Sequence, residues 1–124
     1  MKIRIYYKDT DSGGIVYHSN YLDFCEMERS ELFFKEGKSP IINNCHFAIK
    51  KIDANFVKPS FLGDILTVST KVLKIKHTSL LLHHDIHRDN ELIFTMNIIL
   101  VFLCSDLKPH RINEETKEFF RRLL

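Results

Sequence analysis

Apolar and polar residues alternate at the start of the chain, where Ile3, Ile5 and Tyr7 are separated by Arg4 and Tyr6. A period of two is typical of a half-buried strand. Four further strands are predicted at about residues 46–57, 65–76, 79–88 and 91–104, with breaks at residues 59–64 and 89–90. The last of these strands is apolar on both faces, which predicts a central position in a sheet that is covered on each side.

The helical period replaces this alternation between about residues 19 and 35. Ser19 or Asn20 can cap the start of the helix, and Gly37 lies where a helix would stop. Its apolar residues are numerous enough to predict a mostly buried helix: Tyr21, Leu22, Phe24, Cys25, Met27, Leu32, Phe33 and Phe34.

A short C-terminal helix is predicted from Asn113 as the N-cap, with Glu114 and Glu115 in the first turn and Arg121 near the end. The order of elements predicts the α+β class: a single hotdog domain over residues 1–124, in which an antiparallel five-stranded sheet wraps around one long central helix. The edges of such a sheet are open to pairing, so we expect at least a dimer.

Composition narrows the function by exclusion. With 124 residues and 44% hydrophobic content, the chain can build a core without metal or disulfide support. A formal net charge of +2 argues against nucleic-acid binding. Cys25, Cys45 and Cys104 show no paired C-x-x-C spacing, so we expect reduced thiols and a cytoplasmic protein. The longest apolar run, residues 98–104, is too short for membrane insertion, and no export signal is recognised.

The candidate chemistry lies in the polar loop between the first strand and the long helix. Asp11 is followed by Gly13 and Gly14, which let backbone approach a ligand closely, and the helix N-terminus comes just after them. A carboxylate and several amide donors would then face the same small volume. Thioester hydrolysis needs both, one to attack or to activate water and the other to stabilise the oxyanion. Asp9 is interpreted as a residue that forms the turn or supports the site residues from behind.

Three motifs carry a family resemblance. D-T-D-x-x-G-x-V-Y-H-x-N-Y-L begins at Asp9, E-x-x-R begins at Glu26, and F-x-x-P-x-x-x-G-D begins at Phe56. Together they resemble the YbgC-like branch of the 4-hydroxybenzoyl-CoA thioesterase family. The resemblance implies a hotdog fold, dimers that assemble into homotetramers, and hydrolysis of acyl-CoA without a metal or redox cofactor.

The same resemblance assigns site residues. It implies that Asp11 is the catalytic carboxylate and that the amide of His18 polarises the thioester carbonyl. The substrate would be bound by other residues of the motif, namely Gly14, Val16, Tyr17, Asn20 and Tyr21. Active sites in the family form between subunits, and the candidates here for holding the CoA phosphates are Lys74, Lys76, Thr78 and Ser79. An acyl carrier protein is a further candidate partner.

Alternatives stay open at this point. Glu26 and Arg29 most simply form an ion pair on the helix, although Glu26 could instead supply the carboxylate. The fold would also suit a non-catalytic module that binds acyl groups or acyl carrier protein. A hotdog dehydratase would need a paired histidine and acid across the site, and His18 with Glu26 or Glu31 matches that pattern poorly. His83 and His84 would point to opposite faces of one strand, which favours a polar strand face over a metal site.

Overall fold

One antiparallel sheet and two helices make up the structure, a computed structural model that describes residues 1–124. The strands are β1 (Lys2–Arg4), β2 (His46–Phe56), β3 (Ile65–Ile75), β4 (Ser79–Arg88) and β5 (Glu91–Leu103), and the helices are α1 (Asn20–Phe34) and α2 (Glu114–Arg121). The strand order β1-β3-β4-β5-β2 puts β5 inside the sheet and leaves β1 and β2 at its edges. The predicted fold class, four long strands and two helices are confirmed.

Alternation along the strands directs one face of the sheet toward α1, which lies against β3. On β4, for example, Leu80, Leu82, His84 and Ile86 are buried while the residues between them are partly exposed. The register shifts once in each of the pairs β2–β5, β3–β4 and β4–β5. Irregularities of this kind bend a strand and increase its twist, which helps the sheet to curve around the helix.

Helix α1 is buried along one side only. Tyr21, Phe24 and Phe33 pack into the core, and the Tyr21 ring stacks on Phe94 of β5 with 5.2 Å between ring centroids. Met27 and Phe34 are 48% and 54% exposed, so the prediction that they are buried is wrong. The sequence pattern is apolar nearly all round, but this single chain places a sheet against only one side of the helix.

The N-terminal strand is shorter than its alternation predicts. β1 ends at Arg4, and the chain makes a single 3₁₀ turn at Tyr7–Asp9 because the buried carboxylate of Asp9 accepts a hydrogen bond from the Tyr6 amide at 3.0 Å. Tyr7 is 83% exposed, so its predicted inward position is wrong.

The C-terminal helix forms as its sequence predicts. The side chain of Asn113 accepts a hydrogen bond from the Thr116 amide at 2.8 Å, which caps α2. Phe119 stacks on Phe33 with 4.4 Å between centroids, so α2 closes the end of the core near the last turn of α1. Neither helix combines the length and apolar character that a membrane crossing requires.

A disulfide joins Cys45 to Cys104. These residues directly flank the paired residues His46 and Leu103, so the β2–β5 register brings the two sulfur atoms together. The expectation of three reduced thiols is therefore wrong for this pair, because spacing along the chain does not reveal strand register. Cys25 is a free thiol inside the core, and burial raises its pKa to about 12.

Candidate active site

The Asp11 loop is a tight turn closed by its own hydrogen bonds. Asp11 Oδ1 accepts from the Gly13 amide at 2.8 Å, and the Asp11 carbonyl accepts from the Gly14 amide at 3.1 Å. Gly14 has φ +85°, a left-handed conformation that favours glycine. Asp11 Oδ2 has no hydrogen-bond partner and the side chain is exposed, so one carboxylate oxygen is free to act on a ligand.

Asp9 fixes the start of α1 relative to this turn. Its backbone carbonyl accepts from the Tyr17 amide at 2.9 Å and from Asn20 Nδ2 at 2.8 Å. Its buried carboxylate accepts from the Tyr6 amide and from Lys8 Nζ at 3.1 Å. The interpretation of Asp9 as a turn-forming residue is confirmed.

A second loop holds the motif from the other side. The Ser60 carbonyl accepts from the Val16 amide at 2.9 Å, and Ser60 Oγ lies 2.6 Å from the Tyr21 hydroxyl. Ser60 is fully buried, and its neighbour Phe61 forms a β-bridge with Ile15. The two loops that carry the D-T-D and F-x-x-P motifs are therefore joined by hydrogen bonds into one surface.

This surface carries a cleft of about 250 Å³ at the N-terminal end of α1. Its lining residues are Asp11, Ile15, Val16, His18, Tyr21, Phe56, Val57, Lys58 and Pro59. The amides of His18 and Ser19 donate to no acceptor in the chain. They lie at the positive end of the helix dipole, where unpaired N–H groups favour negative charge. The cleft thus combines a free carboxylate oxygen of Asp11 with His18, whose backbone amide is an unused donor.

The structure brings together four of the residues predicted for the site: Asp11, Val16, His18 and Tyr21. The other three support it from behind, since Gly14 shapes the turn while Tyr17 and Asn20 bond to Asp9. The His18 ring contacts the rings of Tyr17 and Phe56, with centroids 4.4 and 6.1 Å away, and makes no hydrogen bond.

The residues that sequence reasoning missed come mainly from the end of β2 and the segment after it. Phe56, Val57 and Lys58 form that wall of the cleft, and Lys58 Nζ is held by Glu91 Oε2 at 2.6 Å. The available signal was the F-x-x-P motif, which begins at Phe56. Its role as a cleft wall depends on how the loop folds back, which the motif does not state.

The candidates for the CoA phosphates lie elsewhere in this chain. Lys74, Lys76, Thr78 and Ser79 surround the turn between β3 and β4. β3 begins beside the cleft and runs for 11 residues, so this turn is roughly 30 Å away at about 3.3 Å per residue. Their assignment stays a prediction for a site to which a second copy contributes.

A hydrogen-bonded series of buried and half-buried polar side chains crosses the middle of α1. Burial, and secondly Arg29, lowers the pKa of His84 to about 3, so the ring is neutral. Arg29 can only donate, so His84 Nε2 accepts from Arg29 Nη1 at 3.0 Å and His84 Nδ1 donates to Thr70 Oγ1 at 3.0 Å. The Thr70 hydroxyl in turn donates to Glu28. The predicted Glu26–Arg29 ion pair is wrong, because Arg29 turns inward to this series.

The outer face of β4 is polar, as predicted. His83 contacts Asp85 at 2.9 Å and Asn97 at 2.6 Å, while His84 faces the core. No group of three His, Cys, Asp or Glu side chains is arranged to hold a metal ion.

A five-stranded antiparallel sheet packed against one long helix places the structure in the hotdog class. A solved structure shares this fold: a hypothetical protein from Thermus thermophilus superimposes with a TM-score of 0.90 at 20% identity, covering 100% of this chain and 98% of that one.

Sequence comparison gives the family. The family model of the thioesterase superfamily matches residues 13–94. The acyl-CoA thioesterase YbgC of Helicobacter pylori is 38% identical over 117 residues, covering 94% of this chain and 87% of that protein. The protein of the same name from Haemophilus influenzae is 33% identical over 128 residues, with 98% and 93% covered. The chain belongs to the thioesterase superfamily.

Proposed function

We propose that this chain hydrolyses acyl-CoA thioesters to a carboxylic acid and free CoA, with Asp11 as the reacting carboxylate. The observation that carries the proposal is the shared cleft, in which Asp11 has an oxygen without a partner and the His18 amide has no acceptor. The names of the YbgC relatives from Helicobacter pylori and Haemophilus influenzae support acyl-CoA as the substrate class.

The chemistry as general base needs only these groups and water. Asp11 takes a proton from a water molecule, whose oxygen attacks the thioester carbonyl. The His18 amide donates a hydrogen bond to the oxyanion that forms, at the positive end of the helix dipole. The carbon–sulfur bond then breaks, and the proton on Asp11 passes to the CoA sulfur.

Asp11 as nucleophile is the second route to the same products. Its carboxylate would attack the carbonyl, expel CoA and form a mixed anhydride that water then cleaves. A single turnover in water labelled with oxygen-18 separates the routes. Label in the Asp11 carboxylate establishes the nucleophilic route, because it enters when water attacks the anhydride at the aspartyl carbonyl. Trapping of an acylated Asp11 establishes the nucleophilic route directly.

The test is steady-state hydrolysis of short, long and aromatic acyl-CoAs, followed by direct loss of thioester absorbance. We expect Asp11→Asn to lower kcat/KM by about a thousandfold, since a positioned base typically contributes about 10²–10⁴. His18→Ala is the matched control, because it keeps the backbone amide and removes only the ring; we expect less than about tenfold loss. A folded Asp11→Asn variant with wild-type activity would transfer the catalytic role to Glu26.

We place the subunit contact of this proposal at the β2 edge. One side of this edge strand has no neighbouring strand. Ile52 and Phe56 point to the same face of the sheet as the core residues but are themselves exposed, so a second copy could cover them. Light scattering tests this expectation, since Phe56→Lys should shift a dimer or tetramer toward the monomer. An unchanged mass would rule out this edge. Acyl carrier protein as a partner, and the lysine-rich turn as a CoA site, remain parts of the same proposal.

A cytoplasmic location completes the proposal, and it depends on the substrate, since CoA thioesters are made and used inside cells. The Cys45–Cys104 disulfide argues in the other direction, because disulfides rarely persist in reducing compartments. Alkylation of free thiols in freshly lysed cells, followed by mass spectrometry, decides between them. Reduced Cys45 and Cys104 support the cytoplasm, and a quantitative disulfide contradicts it.

A further inference from the structure

One wall of the Asp11 cleft comes from an irregular segment, residues 57–64, that connects β2 to β3. Three residues of this segment line the cleft: Val57, Lys58 and Pro59. The segment lies outside the regular strands, so its position depends on individual contacts. What holds these residues therefore sets the shape of the cleft.

The hairpin between β4 and β5 holds the segment through two charged residues. Arg88 Nη1 donates to the Pro59 carbonyl at 3.1 Å and to Asp64 Oδ2 at 3.0 Å. Arg88 Nη2 donates to Glu91, which also accepts from Lys58 Nζ. Arg88 and Glu91, the hairpin pair, thus bind both ends of the segment, and neither lines the Asp11 cleft.

The chemistry of the hairpin pair suits this hold. A guanidinium presents several donors in a fixed planar fork, so Arg88 can bind a carbonyl and two carboxylates at once. Asp64 Oδ2 also accepts from the Phe61 amide at 2.8 Å, which extends the contact into the backbone of the segment. An isolated exposed ion pair contributes little, but here Lys58 joins the network and the Arg88 side chain is only 25% exposed. Hydrogen bonds from Lys58, and secondly from Arg88, lower the pKa of Glu91, so it stays charged at neutral pH.

The held segment is bonded in turn to the loop that follows Asp11. The Ser60 carbonyl accepts from the Val16 amide at 2.9 Å, and Phe61 forms a β-bridge with Ile15. Displacing the segment would therefore disturb both the wall of the cleft and the loop opposite it.

We propose that Arg88 is a positioning residue for the Asp11 cleft, acting with Glu91 to fix the wall against which the substrate binds. Arg88 lies outside the cleft and acts only through these contacts. The effect on the reaction rests on the proposed hydrolysis, whereas the hold on residues 57–64 does not.

Steady-state kinetics of Arg88→Gln test the effect on the reaction. The wall contacts the substrate in the ground state and the transition state alike, so we expect KM to rise about threefold to tenfold and kcat to stay within about twofold of wild type. Loss of folded protein would instead lower kcat and leave KM unchanged. Arg88→Lys keeps the charge without the fork, so its KM should lie between those of wild type and Arg88→Gln.

Arg121→Gln is the matched control. Arg121 also bonds a glutamate three positions away, Glu118, but it lies on α2 and outside the cleft. Its KM and kcat should equal those of wild type.

Hydrogen exchange of backbone amides, followed by NMR, tests the hold without any substrate. Arg88→Gln should speed exchange of the Val16 amide about tenfold, because its acceptor is the carbonyl of Ser60 in the loosened segment. The Thr116 amide at the start of α2 is the internal reference and should not change. Glu91→Gln removes one charge of the network and should give a smaller increase, which provides a second variant if Arg88→Gln does not fold.

The two measurements separate this proposal from the proposed function. If wild type hydrolyses no acyl-CoA, the proposed function fails, and the exchange rates still decide whether Arg88 holds the segment. Unchanged exchange at Val16, a kcat loss at constant KM in Arg88→Gln, or equal changes in Arg121→Gln would overturn the proposal.

Discussion

Two polar regions of α1, the Asp11 cleft at its N-terminus and the hydrogen-bonded side chains at its middle, are built in opposite ways. At the N-terminus, Asp11 and His18 line the cleft, and Asp11 Oδ2 and the His18 amide keep unused hydrogen-bonding capacity. In the middle, Glu28 and His84 are buried and bonded to each other through Thr70. No buried side-chain nitrogen or oxygen lacks a partner. Unused capacity is therefore kept where a substrate can reach it, and the interior groups serve stability.

The largest expected effect is a loss of stability on substitution of Thr70, the residue that links His84 to Glu28 by hydrogen bonds. Thr70→Val leaves His84 Nδ1 without an acceptor and Glu28 without its hydroxyl donor. We expect a loss of about 2–4 kcal/mol in the free energy of unfolding, measured by urea denaturation. Thioester hydrolysis by the folded variant should stay close to wild type, because the Asp11 cleft is untouched.

Thr67→Val is the control on the same strand, since Thr67 is exposed and its side chain makes no hydrogen bond. We expect a change within about 0.5 kcal/mol. Equal destabilisation by both substitutions would mean that loss of the Thr70 hydrogen bonds does not decide the outcome.

Acidification should weaken the buried region next. The folded-state pKa of His84 is about 3 against an ordinary value of 6.5, so the unfolded chain takes up a proton that the folded chain refuses. Stability from this residue is fully present above about pH 6.5 and falls as the pH drops toward 3. Between pH 7 and 5 we expect a loss of about 2 kcal/mol.

Denaturation of wild type and His84→Gln at both pH values isolates this contribution. The variant should be less stable at pH 7 but should lose about 2 kcal/mol less than wild type on going to pH 5. Parallel losses in the two proteins would exclude His84 as the source.

The smallest expected effect is that of a substitution in the exposed Asp11 turn. A Cβ at Gly13 would lie 3.2 Å from Asp11 Oδ1, close enough to displace the carboxylate. Gly13→Ala should therefore lower kcat/KM about threefold to tenfold and change stability by less than about 1 kcal/mol. Ser12→Ala alters the adjacent exposed residue without approaching the carboxylate, and its kcat/KM should equal that of wild type. Equal rates for the two variants would show that the Asp11 position tolerates this contact.

The exposed Asp11 cleft was largely predictable from the sequence, whereas the hydrogen-bonded side chains at the middle of α1 were not. The Asp11 turn and the start of α1 are encoded within one short segment, so glycines and a helix start suffice to place them. The chain from Arg29 to Glu28 runs through Thr70 and His84, on two strands far away in sequence. Spacing along α1 suggested a Glu26 partner for Arg29 because it contains no information about what packs against the helix.

Contacts between distant segments explain the remaining differences. The bounds of β2 and β5 follow from their apolar patterns, yet the pairing of His46 with Leu103, which brings Cys45 to Cys104, does not. Exposure of Met27 and Phe34 likewise depends on which side of α1 meets the sheet. Local patterns give the elements, whereas contacts between distant segments require the assembled fold.

The disulfide closes a covalent ring whose ends are 59 positions apart in sequence. All of β2, β3, β4 and β5 lie inside this ring, while β1, α1 and α2 lie outside it. A ring of this size restricts the unfolded chain enough to stabilise the native state by about 4 kcal/mol. In the unfolded state, residues 45–104 would thus be more compact in the oxidised form than in the reduced form. The Asp11 turn and α1, which lie outside the ring, would have the same conformational freedom in both forms.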